Sequence, residues 1–402
     1  MAGETRPGVG AAPERRSPWS LNHPRVRAVV YQVALVAAVV FAVWYFASNT
    51  AHNLEVRKIA SGFGFLEREA GFEIGESPFI AYGAADKYRT AIVVGLLNTF
   101  RVALIGVVLA TLIGTVIGLA RLSHNWLISK IASGYIEAMR NVPLLVQLFF
   151  WYAIISENLP GPREALNPLP DVYLSNRGIV FPVFASHPVH VWLGVALLAG
   201  IALCWLLARW ASARQARTGQ PFPVFFVGAA LILGLPLVVF VAAGAPTALN
   251  RPALSGFNYT GGGVLTPEFA ALLAGLTLYT AAFIAEIVRA GVLAVDRGQF
   301  EAGAALGLRP RRAMRLVILP QALRVIVPPL TSQYLNLTKN SSLAVAIGYP
   351  DLVSIANTTM NQTGQAIEAV AIIMTVYLTI SLSISAIMNW YNRTIALRGA
   401  RR

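Results

Sequence analysis

Eight stretches of the chain are apolar over roughly the 20 residues that a helix needs to cross a bilayer. They lie at residues 26–47, 97–120, 131–155, 189–210, 223–243, 267–295, 323–337 and 366–390. The seventh is short and contains prolines and amides, so it suits a membrane only where it packs against other helices or lines a cavity. The pattern predicts an all-α fold, a polytopic transmembrane helix bundle of about eight spans.

The composition supports a membrane protein, because 56% of the residues are hydrophobic and only 12% are charged. Soluble domains carry roughly 25% charged residues. A soluble secreted, disordered or nucleic-acid-binding protein is therefore excluded. The single cysteine, Cys204, lies inside an apolar stretch, so the chain has no internal disulfide.

The charges are distributed unevenly between the two sides of this bundle. An eight-span layout places five segments on one side: 1–27, 121–140, 209–220, 289–324 and 392–402. These segments hold 22 of the 32 lysines and arginines and five acidic residues. Their net charge is +17, and the rest of the chain sums to −3. The positive-inside rule predicts that this side, with both termini, is cytoplasmic. The net charge of +14 thus indicates orientation rather than a nucleic-acid surface.

Catalytic and metal-binding motifs are not found in the sequence. It contains no Gly-x-Ser-x-Gly elbow, no His-Glu-x-x-His helix and no phosphate-binding loop. His187 and His190 are close in sequence, but no cysteine or carboxylate stands at ligand spacing. We expect no catalytic residue, no metal site and no cofactor bound by this chain, so that any ATP is used by a partner subunit.

Residues 296–320, DRGQFEAGAALGLRPRRAMRLVILP, form the most unusual polar segment. Residues 301–306 are strong helix formers, Gly307 can adopt positive φ, and Pro310 suits the first turn of a second helix. The segment therefore predicts a helix, a sharp bend and a second helix at the membrane surface. An ordinary amphipathic surface helix is the alternative interpretation.

This segment resembles the EAA loop of permease subunits of bacterial ATP-binding-cassette importers. The family pattern is Glu-Ala-Ala, three residues, Gly, nine residues and Ile-x-Leu-Pro. The positions that match it are Glu301, Ala302, Gly307, Leu319 and Pro320, with Gly303 in place of the third-position Ala and Val317 in place of the Ile.

Two further strings are similar to the polar amino-acid branch of that family, which includes the histidine and glutamine permeases. They are GYIEAMRNVPLLVQLFFWY at 134–152 and LYTAAFIAEIVRAGVLAVDRGQFEAGAALGL at 278–308. The resemblance covers roughly 94–155 and 277–390, close to half of the chain. It implies the five-helix importer (MetI-like) core with three extra spans, similar to permeases of general or of acidic and amide amino-acid importers in Gram-negative bacteria.

The predicted domain organisation follows from these two arguments. It comprises a disordered cytoplasmic tail (1–27), the first span with an outer loop that forms a partly ordered cap (28–91), the first part of the permease core (92–155), an inserted pair of spans with plain connecting loops (156–265), the rest of the core with the coupling loop 296–320 (266–392) and a basic C-terminal tail (393–402). A cleaved signal peptide is a poorer interpretation of the first residues, because the apolar run is too long for one.

The resemblance implies an inner-membrane permease subunit that carries L-amino acids, either polar, acidic and amide ones or a broad range, from periplasm to cytoplasm. The implied partners are a cytoplasmic ATPase homodimer, a second homologous permease or a second copy, a periplasmic amino-acid-binding protein and membrane lipid, with no nucleic acid. At the positions that match the family pattern, the resemblance implies that Glu301 contacts the ATPase, Ala302 allows close approach and Gly307 sets the bend.

Polar residues inside the spans are candidates for a substrate pathway. Glu286 is unfavourable in a membrane unless it is paired or faces a polar cavity, and Arg289 at i+3 offers an intrahelical ion pair as the alternative. We expect hydrogen-bond donors suited to a carboxylate at the outer end of the seventh span: Asn336, Lys339, Asn340 and Ser341. Helix capping and snorkelling are the alternative roles for these residues.

Three other features of the spans have structural interpretations. Arg101 is expected to snorkel to the outer surface, Asn141 with Pro143 to break or kink the third span, and Gly114 and Gly118 to pack helices. The alternative function is an ion- or proton-coupled secondary transporter, which would be expected to carry several intramembrane acids, whereas Glu286 is the one found deep in the predicted spans.

Overall fold

The structure is a computed structural model that describes residues 24–56 and 61–400, with side chains for 27–56 and 61–392. Most of the predicted N-terminal tail lies outside these residues, and residues 24–27 already belong to the first helix. The twelve helices of the described residues are α1 Pro24–Val56, α2 Tyr88–Arg121, α3 Trp126–Asn141, α4 Leu144–Asn158, α5 Val189–Thr218, α6 Val224–Ala242, α7 Pro267–Leu293, α8 Arg297–Ala305, α9 Pro310–Ala313, α10 Leu319–Asn340, α11 Leu352–Thr363 and α12 Ala366–Ala400.

Within the described residues, seven helical segments are long and apolar enough to cross a membrane, and the bent pair α3–α4 makes up to eight. This agrees with the predicted number of spans. One prediction was too short: the seventh span is not 323–337 but the segment Pro310–Ile347, 38 residues long. The reason is that α9, the π turn Met314–Ile318, α10 and the 3-10 helix Ser341–Ile347 follow one another without a break.

The third span is broken, as Asn141 and Pro143 predict, and α3 and α4 meet at 105°. The Gln147 Nε2 group stabilises this bend, donating to the Met139 and Val142 carbonyls at 2.8 and 3.0 Å. Carbonyls that the bend would otherwise leave without partners are thereby satisfied.

The centre of the bundle is the pair α2 and α7, which pack through small residues. A Cβ at Gly118 would lie 2.6 Å from the Ala285 carbonyl oxygen, and one at Gly114 would lie 2.7 Å from that of Ala281. Because dispersion contacts rather than hydrophobic exclusion hold helices together in lipid, close backbone approach stabilises the pair. The predicted packing role of the two glycines is confirmed.

The loops between α4 and α5 and between α6 and α7 are not plain connections, and that prediction was wrong. They contain β1 Leu166–Leu169, β2 Val172–Ser175, β3 Gly178–Phe181, β4 Val183–Phe184, β5 Leu249–Asn250, β6 Ala253–Ser255, β7 Asn258–Thr260 and β8 Gly263–Leu265. One antiparallel sheet has the order β1-β2-β3-β8, while β4 pairs with β5 and β6 with β7. The β3–β8 pairing joins the two loops, and β-branched and aromatic residues favour these short strands.

Residues 61–87 form an ordered cap on the same end of the bundle, as predicted for the outer loop; residues 57–60 of that loop lie outside the described residues. Phe65 and Ala70 are buried with Tyr88 at the start of α2. The Gly62 amide donates to Glu368 at the start of α12 at 2.5 Å. We call this the cap end of the bundle, and the opposite end, where α2 and α7 finish and α8 lies, the α8 end.

Candidate functional site

The α8 helix has a well-defined beginning and end. The Asp296 carboxylate caps its first turn and accepts from the Gly298 amide at 2.6 Å. At the other end Gly307 adopts φ +69°, and the Leu308 and Gly307 amides donate to the Gly303 and Ala304 carbonyls at 3.1 and 2.9 Å. This is a Schellman motif, in which a left-handed residue closes the helix. It produces the bend predicted at Gly307.

The α8 helix packs on α9 with one face and leaves the other free. Gly303 is buried, and a Cβ at this position would lie 3.3 Å from that of Ala313, which accounts for glycine where the EAA pattern has alanine. Glu301 and Ala302 are exposed, and Leu306 is 79% exposed. A short surface helix with an exposed carboxylate and an exposed leucine at its C-cap is the kind of arrangement that a protein partner covers.

The loop is linked to the bundle through α9 and the π turn. In this turn the Leu319 amide donates to the carbonyl of Met314, five residues back, just before Pro320, which has no amide hydrogen. Ile318 and Ala322 are fully buried in the same hydrophobic cluster as Val292 of α7. Packed side chains of α9 and the π turn thus connect α8 to α7 and α10.

Replacing Gly307 with alanine is expected to reduce the stability of α8 by about 1–2 kcal/mol, because an L-residue in the left-handed region meets its own carbonyl. Nothing lies within 4 Å of a Cβ at this position, so the effect is conformational. Hydrogen exchange of the α8 amides should increase. Gly134→Ala is the control, since Gly134 lies within α3 with equally free space, and it should leave exchange in α3 unchanged or slower.

Glu286 forms ion pairs at the α8 end of α7. Its carboxylate accepts from Arg289 Nε at 3.1 Å, so the intrahelical pair foreseen from the sequence exists, and it also contacts Arg121 at the end of α2. Glu286 and Arg121 line a cavity of about 420 Å³ together with Arg140 and Asn141 of the bend between α3 and α4. Glu286 is thus both paired and next to a polar cavity.

The α10 residues predicted at the outer end of the seventh span lie where α10 ends, at Asn340, but the span continues beyond them as a 3-10 helix to Ile347. Leu337 packs against Gly106 near the middle of α2, so this part of α10 is at mid-bundle, because the span continues to Ile347. Asn336 and Lys339 are exposed, Asn340 is half-buried, and the buried Ser341 hydroxyl donates to the Thr338 carbonyl at 2.7 Å. The structure does not join this group to Glu286, which lies toward the α8 end.

Arg101 does not snorkel to the surface, contrary to the prediction. Its side chain is 12% exposed, pairs with Glu76 of the cap at 2.7 Å and stacks 3.9 Å above the Phe269 ring. Glu76 also accepts from Thr266 at 3.1 Å, and burial raises the pKa of its carboxyl although Arg101 opposes the shift. Glu76 was not predicted from the sequence; the available signal was Arg101 itself, a charge in an apolar stretch that requires a partner.

A second buried carboxylate, Asp351, precedes α11 outside the candidate spans and accepts from the Ser354 amide at 2.8 Å. Burial raises its pKa from 3.8 to about 7. The unfolded chain loses this proton at lower pH than the folded chain, so the free energy of unfolding should fall as pH rises from about 4 to about 7 and then level off. Thermal unfolding of the purified protein in detergent between pH 4.5 and 8 measures this.

Asp351→Asn is the matched control for this pH dependence. Asparagine caps helices about as well as aspartate and does not titrate, so the fall in melting temperature with pH should be smaller in this variant than in the unmodified chain. Equal pH profiles for the two proteins would contradict the assignment.

Comparison with known proteins identifies the chain. Residues 207–397 match the family described as "Binding-protein-dependent transport system inner membrane component". The chain is 49% identical over 397 residues to the general L-amino acid transport system permease protein AapQ of Rhizobium johnstonii, covering 98% of this chain and 99% of that one. The chain belongs to this family. It is a permease subunit of an ATP-binding-cassette importer.

Two further relatives of the permease align over nearly their whole length. YhdX of Escherichia coli K12, provisionally named an amino-acid ABC transporter permease protein, is 50% identical over 379 residues, covering 94% of this chain and 96% of that one. The glutamate/glutamine/aspartate/asparagine transport system permease protein BztB of Rhodobacter capsulatus is 41% identical over 406 residues, covering 93% and 95%. The inserted sheet and the extra helices therefore lie within the aligned regions rather than beyond them.

Membership of the family confirms the main functional prediction and does not support a secondary transporter. The permease is a multi-pass inner-membrane protein and not an enzyme, and the ATPase of such an importer is a separate chain. Permeases of this family associate with an ATPase and with a binding protein.

Proposed function

We propose that this permease carries L-amino acids, acidic and amide ones among them, from the periplasm to the cytoplasm, and that a cytoplasmic ATPase drives it by docking on α8. The printed names of the 49% and 41% identical relatives, a general L-amino acid permease and a glutamate/glutamine/aspartate/asparagine permease, support this substrate class. The single observation that carries the coupling proposal is the exposed α8, with Glu301 on the face opposite the buried Gly303 and Leu306 exposed at its C-cap.

In this proposal the α8 end and both termini are cytoplasmic. The support is the charge distribution, +17 on that side against −3 elsewhere, which the fold preserves by placing α8, α9 and the end of α2 together. The cap and the inserted sheet then face the periplasm. There they would meet an amino-acid-binding protein.

Coupling follows from the way the loop is packed. An ATPase homodimer that closes on ATP would move α8, with Glu301 making charge-assisted contacts, Ala302 allowing close approach and Gly307 keeping the bend. Leu319 and Pro320 stand where the loop becomes α10, so the motion would pass to α7 and α10 and shift the bundle between inward-facing and outward-facing states. The permease itself binds no ATP in this scheme.

The pathway is proposed to follow the free polar face of α10. Ser332, Asn336 and Lys339 are spaced by three and four residues, share one helix face and are exposed at mid-bundle. An ammonium group facing lipid at this depth is unfavourable, so the face is expected to meet a second permease subunit across a polar path. Lys339, Asn336 and Asn340 would bind a substrate carboxylate there, Ser341 would shape the helix end, and Glu286 would act nearer the cytoplasm.

Neutral substitutions test the pathway. Lys339→Gln and Glu286→Gln are each expected to lower ATP-driven uptake at least fivefold while the amount of assembled complex in the membrane falls less than twofold. Uptake of radiolabelled L-glutamate into vesicles, normalised to complex recovered by pull-down, measures both. Lys130→Gln on exposed α3 is the control and should match the unmodified permease. Equal losses of uptake and assembly would assign these residues to structure.

A further inference from the structure

The segment from Arg309 to Arg315 carries a positive charge that the rest of the chain does not neutralise. Arg309, Arg311, Arg312 and Arg315 are all exposed. Among the described side chains, none forms an ion pair or hydrogen bond with their guanidinium groups. Among the described carboxylates near this segment, Asp296 caps α8, Glu286 pairs with Arg121 and Arg289, and the exposed Glu301 forms no ion pair with these arginines.

Two of these arginines lie on the side of the segment that faces away from α8. Ala313 is buried beside Gly303 of α8. Residues of a helix are about 100° apart, so Arg311 and Arg315, two positions on either side of Ala313, lie on the opposite face. The surface that we assign to the ATPase is on α8, and Arg311 and Arg315 are directed elsewhere.

The same face continues into the membrane span. Leu319 follows Arg315 by four residues on this face and is 40% exposed, and its neighbour Leu316 is 62% exposed. We place the start of the hydrocarbon layer at these leucines. Arg315 lies about one helical turn and Arg311 about two turns before Leu319 along the continuous segment Pro310–Ile347. The headgroup layer of a bilayer is about 5–7 Å thick on each side, within reach of long arginine side chains.

We propose that Arg311 and Arg315 bind the phosphate groups of anionic phospholipid at the α8 end of the bundle and so hold the coupling loop against the membrane. Guanidinium groups match phosphate oxygens in a bidentate geometry and keep their charge when partly desolvated. Clusters of basic residues directly beside a span bind anionic leaflets in this way. The lipid then keeps the loop seated at the membrane surface, so that a movement of α8 passes through α9 and the π turn to α10. The inference rests on the proposed coupling role of α8, but its binding test does not require the ATPase.

The test uses the purified full-length permease and spin-labelled lipids. The unmodified chain should enrich phosphatidylglycerol over phosphatidylcholine at least threefold, and Arg311→Gln/Arg315→Gln should bring the ratio close to one. Arg309→Gln/Arg312→Gln removes the same charge from another face of the segment and should retain most of the enrichment. Equal enrichment in the unmodified chain and the 311/315 variant would overturn the proposal, as would displacement of the lipid by soluble glycerol phosphate.

A second arm separates lipid binding from ATPase docking. In nanodiscs of phosphatidylcholine alone, the 311/315 variant should bind the ATPase as the unmodified permease does, whereas Glu301→Lys should not. Reconstituted with 30% phosphatidylglycerol, the unmodified importer should gain uptake severalfold and the variant should not. Loss of ATPase binding by the 311/315 variant in neutral nanodiscs would show that the arginines face a protein, and it would contradict the lipid proposal without affecting the role of Glu301.

Discussion

Replacing Glu301 with lysine is expected to abolish ATP-driven uptake while the permease still assembles in the membrane. Glu301 is exposed on the free face of α8 and makes no ion pair among the described residues, so its removal leaves the fold intact. Reversing a charge in a desolvated protein interface costs several kcal/mol, which corresponds to more than a hundredfold in affinity. Pull-down of the ATPase with the tagged permease and uptake into vesicles measure the two effects.

Glu164→Lys provides the matched control for this charge reversal. Glu164 is equally exposed but lies at the cap end, in the short 3-10 helix Pro162–Glu164. This variant should keep ATPase binding and uptake within twofold of the unmodified chain. If Glu301→Lys behaved like Glu164→Lys, α8 would not be the docking helix.

Breaking the buried pair between Arg101 and Glu76 should cause the largest loss of stability. Arg101→Met leaves Glu76 with no cation in a site where its side chain is only 9% exposed. Removing one partner of a buried ion pair typically costs about 3–5 kcal/mol, because the remaining charge stays desolvated. The thermal midpoint of the purified permease should fall by several degrees, and the cap amides of residues 61–87 should exchange faster.

The double variant Glu76→Gln/Arg101→Met distinguishes pairing from other causes. With both charges removed, most of the lost stability should return, since the penalty arises from the unpaired carboxylate rather than from the missing attraction. Arg89→Met is the exposed comparison: Arg89 pairs with Glu67 at 3.2 Å on the surface, and its loss should change stability by less than about 1 kcal/mol. Additive losses in the double variant would mean that the two residues act independently.

The membrane architecture could be predicted from the sequence because its two signals are local. Apolar runs set the number of spans, and loop charges indicate their orientation. The bend after Asn141 and the turn at Gly307 were also predicted, since proline and glycine impose local backbone geometry. The length of the seventh span was missed because charged and polar residues flank its apolar stretch, Arg315 and Gln321 before it and Lys339 and Asn340 after it, although the helical segment continues through them.

Features that depend on contacts distant in sequence could not be predicted. The inserted sheet requires β3 and β8, which are about 85 residues apart, to find each other, and each strand is only three or four residues long. Glu76 and Arg101 meet through the fold of the cap, and Asp351 becomes buried only when α11 packs on α2. In the candidate site, the local helix α8 was predicted from the sequence, whereas the mid-bundle position of Lys339 was not.

Measuring the energy source of uptake tests directly whether this permease is part of an ATP-driven importer. Vesicles containing the complete importer, with the α8 end inward, are loaded with ATP or left without it, and binding protein and radiolabelled L-glutamate are added outside. An ATP-driven importer should accumulate L-glutamate only when internal ATP and external binding protein are both present, with no response to a proton or sodium gradient. Accumulation driven by an ion gradient in the absence of ATP would contradict it.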